Sequence, residues 1–76
     1  MTLDYNSLLT DEQKRTILQQ RISQFAAEAY QHSLNKKTCE GLEDLEGAEN
    51  AQKSLQILEA AITVHHAELD SLPSEG

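Results

Sequence analysis

The sequence predicts an all-α protein, an antiparallel two-helix hairpin of coiled-coil type that assembles into a four-helix bundle or higher oligomer. Three observations carry this. First, positions spaced alternately by three and four residues run backward from Gly41 through Cys39, Lys36, His32, Ala29, Phe25, Ile22, Leu18 and Arg15, and forward through Ala48, Ala51, Leu55, Leu58, Ile62, His65, Leu69 and Leu72. That alternation is the seam of two packed helices. Second, the two arms mirror each other about a short glycine-bearing break, as an antiparallel hairpin requires. Third, the 76 residues are 38% apolar and 4% aromatic, with no Trp, which gives a lone hairpin little core to offset the entropy of ordering two long helices.

Residues 1–9 alternate between polar and apolar types without sustained periodicity. Leu3, Tyr5, Leu8 and Leu9 suit a lead-in that folds back on the helices. Thr10 followed by Gln13 fits a capping box, and Asp11 and Glu12 sit where the helix dipole favours anions, so the first helix starts there and runs over about 11–40. Lys36 and Lys37 then occupy its last turn, and Gly41 is the residue expected in the left-handed conformation that ends it. Glu43, Asp44 and Glu46 crowd the start of the second helix, predicted over about 44–72. Asp44 is the best N-cap, and Gly47 is a weak point in the first turn. Pro73 closes the 10–72 hairpin and leaves 73–76 as a tail.

With the turn between Gly41 and Asp44, the mirrored spacing pairs Leu18 with Leu69, Ile22 with His65, Phe25 with Ile62, Ala29 with Leu58 and His32 with Leu55. Large side chains meet small or branched ones, which lets layers interdigitate; a fully buried Phe25 would cost about 3–5 kcal/mol on truncation to Ala. Beside this seam, Ile57, Ala61 and Val64 make a second stripe on the second helix, with Ile17 on the matching flank of the first. The expectation is that this flank docks on another copy or on a different protein, the alternative being that the N-terminal segment covers it. Tyr30 falls on the opposite flank, either as a contact residue or as a surface tyrosine with a wet hydroxyl.

The net charge of −7 disfavours direct binding to nucleic acid or to an anionic membrane surface. It is unevenly divided. Residues 11–40 carry five basic against four acidic side chains, whereas 43–72 carry seven acidic ones against Lys53 alone. The arms are therefore complementary, and a Lys37 to Glu49 contact is one expected exposed pair, worth about 1 kcal/mol or less. A single cysteine, Cys39, gives no internal disulfide, no apolar run approaches a membrane span, and residues 1–9 lack a signal-peptide pattern. The expected setting is cytoplasmic.

No residue set calls for catalysis, metal or cofactor. His32 and His65 lie on the seam and His66 points away from it, so no pair has the three- or four-residue spacing of a zinc site except by joining subunits. Histidines buried neutral on the seam would be charged by acid, loosening the hairpin. Glu28 and His32 make at most a local helix pair. Cys39, near a helix C-terminus, is disfavoured as a thiolate and is expected to face Ala48 as a small packing residue.

The run LTDEQKRTILQQRISQFAAEAYQHSLN, Leu9 to Asn35, together with LEAAITVHHAEL, Leu58 to Leu69, resembles small helical-hairpin proteins encoded by tailed bacteriophages. The resemblance implies a virion-associated or host-interaction accessory in the host cytoplasm or virion, and transfers no residue role. The residues themselves lead to a non-enzymatic structural or adaptor module working by protein–protein contact. The alternative is an acidic regulator that mimics phosphate on a basic surface of a host nucleic-acid-binding protein.

Overall fold

A computed structural model describes residues 4–73, and these form three helices: α1, Tyr5–Leu8; α2, Asp11–Gly41; and α3, Leu45–Ser71. The two long helices pack against each other as a hairpin, and no strand occurs among the described residues. Leu3 and residues 74–76 of the tail lie outside that range.

The start of α2 follows from its capping box. The Gln13 amide donates to Thr10 Oγ1 at 3.1 Å and the Thr10 amide to Gln13 Oε1 at 2.9 Å, so two otherwise unpaired donors are satisfied reciprocally. Ahead of it, the lead-in contains one helical turn. Asp4 caps α1 by accepting from the Ser7 amide and hydroxyl, the latter at 2.7 Å, and the hydroxyl bond first and then the amide bond hold the Asp4 carboxyl below its ordinary range.

The turn between the long helices differs from the expectation at Gly41. That glycine is helical with a negative φ, and the left-handed residue is Glu43, φ 59°. The Asp44 amide donates to Cys39 O at 2.8 Å and the Glu43 amide to Glu40 O at 3.1 Å, the bond pair of a Schellman cap centred on Glu43. Asp44 explains the placement. Its side chain accepts from the Gly47 amide at 3.0 Å, so one residue closes α2 through its backbone and opens α3 through its carboxylate. Both jobs require the left-handed residue to come immediately before it. Because α2 continues through Gly41, Lys36 and Lys37 fall short of its last turn, which contains no basic residue.

The core is narrow. Ala48, Ala51 and Leu58 are the buried apolar residues among those described, all on α3, and their expected partners on α2, Ala29, Lys36 and Cys39, are half-buried. Gly47 belongs to this contact and is not a mere weak point. A Cβ there would lie 2.8 Å from Cys39 Sγ and 2.4 Å from Asp44 Oδ2, so the glycine is what lets the Cys39 thiol and the capping carboxylate sit over the first turn of α3. Cys39 thus packs on Gly47, the chain neighbour of its expected partner Ala48.

Candidate interaction surface

Every residue of the expected seam from Leu18 to His32 and from Leu55 to Leu69 is buried or half-buried: Leu18, Ile22, Phe25, Ala29, His32, Leu55, Ile62, His65 and Leu69 are half-buried, and Leu58 is buried. Phe25 therefore retains solvent contact, and the full cost of burying a phenylalanine does not apply to it. Its ring meets His65 edge-on, with centroids 5.0 Å apart and planes at 72°.

Around that ring pair the structure gathers groups that the heptad pattern alone did not single out. The Arg21 guanidinium lies 5.3 Å from the Phe25 centroid and its Nε donates to His65 Nε2 at 3.0 Å. His65 Nδ1 meets the Ala61 carbonyl at 2.6 Å. Arginine can only donate and a carbonyl can only accept, so the arrangement selects the neutral imidazole with its proton on Nδ1. The sequence signal for Arg21 was its i,i+4 spacing from Phe25 on one helix face.

Two further links cross the seam. Lys36 Nζ donates to Gln52 Oε1 at 2.7 Å near the turn, and an Arg15 Nη donates to the Pro73 carbonyl at 2.8 Å at the other end. Glu49 pairs with Lys53 on its own helix at 3.6 Å, in place of the expected Lys37 contact, and both side chains are about two-thirds exposed. Such a pair adds little stability.

The second stripe is open. Ile57 is 70% and Val64 65% exposed, whereas Ala61 is half-buried beside the seam. Ile17, 42% exposed, lines a shallow depression with Tyr5, Leu9, Leu18 and Glu68, where the N-terminal turn approaches the hairpin. The described part of the N-terminal segment thus reaches Ile17 and leaves Ile57 and Val64 uncovered, with Tyr5 and Leu8 themselves exposed. Tyr30 is also exposed, as are Leu34 and the turn residues Leu42 and Leu45. The last two occupy positions whose spacing carries no helix-face signal, which is why periodicity overlooked them.

Among the described residues, no three His, Cys, Asp or Glu side chains gather as a metal site would need, and no helix is long and apolar enough to cross a membrane. His65 has both ring nitrogens engaged within the hairpin. Comparison with family models, curated proteins and solved structures gives no match, so the functional reading rests on this geometry.

Proposed function

We propose that the chain is a non-enzymatic protein–protein interaction module, structural or adaptor in role, that self-associates through the outer flank of α3 into a four-helix bundle or higher oligomer. One observation carries this reading: Ile57 and Val64 are 70% and 65% exposed in a chain whose buried apolar residues, among those described, are Ala48, Ala51 and Leu58. Burying the two large side chains against another copy recovers roughly 1.5–3 kcal/mol for each one fully removed from water. The resemblance to phage hairpin proteins fits an accessory of this kind in the host cytoplasm or virion.

The test is solution mass by size exclusion with light scattering over a wide concentration range. Wild type is expected to exceed monomer mass, and Val64→Asp to return it to monomer while far-ultraviolet circular dichroism stays helical. A wild-type monomer throughout, or a Val64→Asp mass equal to wild type, rejects the proposal.

A second reading is favoured by a separate feature. Glu40, Glu43, Asp44, Glu46 and Glu49 cluster around the turn, and no Lys or Arg occurs from Thr38 through Gln52. An acidic tip of this kind suits a regulator that occupies a basic surface of a nucleic-acid-binding protein. Such binding would weaken steeply with added salt, unlike apolar docking of the α3 flank.

A further inference from the structure

We propose that the α3 flank pairs with the same flank of a second copy in one antiparallel register, about a two-fold axis at the Ala60–Ala61 peptide bond. The inference rests on the self-association reading and goes beyond it by fixing partner, direction and register. Lys53, Ile57, Ala61, Val64 and Glu68 follow one another at steps of four, four, three and four, the spacing of a single helix face. Ile57 and Val64 lie three and a half positions on either side of that bond, and Lys53 and Glu68 lie seven and a half on either side. A two-fold axis there sets Ile57 against Val64 of the second copy and Lys53 against its Glu68, each contact occurring twice. Ala60 and Ala61 at the axis let the backbones approach closely. This is the self-complementarity an isologous interface needs.

Charge selects this register over its neighbours. Lys53 is the sole Lys or Arg on α3, so parallel in-register pairing would set Lys53 against Lys53 and Glu68 against Glu68. An antiparallel slide of one turn sets Ile57 against Glu68 in one direction and Lys53 against Val64 in the other. Only the proposed arrangement joins apolar to apolar and base to acid together. The present partner of Lys53 does not hold it back: Glu49 lies 3.6 Å away, with side chains 65% and 70% exposed for the two residues. Glu68 is likewise exposed, at the rim of the depression that Lys14 and Tyr5 border.

The experiment combines charge reversal with a thiol probe on the full chain. Lys53→Glu and Glu68→Lys each place like charges together at two sites and are expected to raise the dimer dissociation constant about tenfold, with the double variant returning close to wild type. In a Cys39→Ser background, Ala61→Cys is expected to oxidise to a covalent dimer, and Glu59→Cys, on another face of the same helix, to remain monomeric under the same oxidant. A dimer that Val64→Asp disrupts but that shows neither the rescue nor the selective disulfide overturns this register and leaves the flank as the interface. A wild-type monomer at every concentration overturns both, and points to a different protein as the occupant of the flank.

Discussion

The two ends of the hairpin solve the same packing problem with opposite materials. Near the turn the contact is made by small residues, Cys39 on Gly47 with Ala48 and Ala51 alongside, and there Ala48 and Ala51 of α3 are buried. Toward the open end it is made by Leu18, Ile22, Phe25, Ile62, His65 and Leu69, all larger and all only half-buried. Close approach excludes water from an alanine, whereas a phenylalanine between two helices with no third layer keeps one edge wet. The lack of a covering layer therefore limits burial in this chain, and of the large seam residues among those described Leu58 alone is buried. The open end compensates with directional contacts, the Arg21, Phe25 and His65 stack and the Arg15 link to Pro73.

Truncation at the two levels should expose this contrast most strongly. Leu58→Ala removes a buried side chain and is expected to cost about 3 kcal/mol, whereas Phe25→Ala, despite losing more atoms, is expected to cost about 2 kcal/mol because its ring is partly solvated. Urea unfolding followed by circular dichroism would measure both, and the reverse order would break the comparison. The two glycines sharpen it further. Gly47→Ala should destabilise by about 1–2 kcal/mol despite the better helix propensity of alanine, because the new methyl meets Cys39 Sγ and the Asp44 carboxylate. Gly41→Ala, with nothing within 4 Å of the added atom and no left-handed φ, should stabilise by about 0.5–1 kcal/mol.

Glu43→Gly is expected to stabilise by about 1 kcal/mol, since it relieves the only left-handed non-glycine residue among those described. Thermal melts of Glu43→Gly and Gly41→Ala, separately and combined, would show whether the two add. The smallest effect belongs to the N-terminal turn. The depressed Asp4 carboxyl contributes stability that is present above its unfolded pKa and is lost as pH falls through its lowered folded pKa, so the Asp4 cap should open on the acid side of the ordinary carboxylate range. Ser7→Ala, which removes the largest cause of the shift, should move that opening to higher pH in an NMR titration of the Asp4 side chain.

The hairpin was readable from the sequence because its signals are local or periodic. Thr10 with Gln13, Asp44 three residues before Gly47, and the three-four spacing of the seam each state a requirement of one element. The left-handed position was not readable in this way. Glycine at 41 is the better residue for it, yet the joint demands of the Cys39 carbonyl and the Gly47 amide on Asp44 move it to Glu43, and no pattern of residue types records a requirement shared by two helices. Arg21 was missed for a related reason: its role depends on the imidazole of another helix. Tyr5 to Leu8 reads as a lead-in because one turn is too short for periodicity, although Asp4 and Ser7 hold its cap.

The turn also governs the order in which the hairpin can form. Glu43 and Asp44 alone separate the Leu42 cap from α3, so the first contacts across the seam, those of Cys39 with Gly47, close a loop of very few residues and carry the smallest entropy cost of any pairing in the chain. Each later pair, out to Arg15 and Pro73, encloses a longer loop unless the earlier ones are already made. Folding should then proceed as a zipper from the turn outward. Strain at Glu43 would be met in the rate-limiting step, so that Glu43→Gly would accelerate folding, while the Arg21 and His65 contact would be made late and lost first.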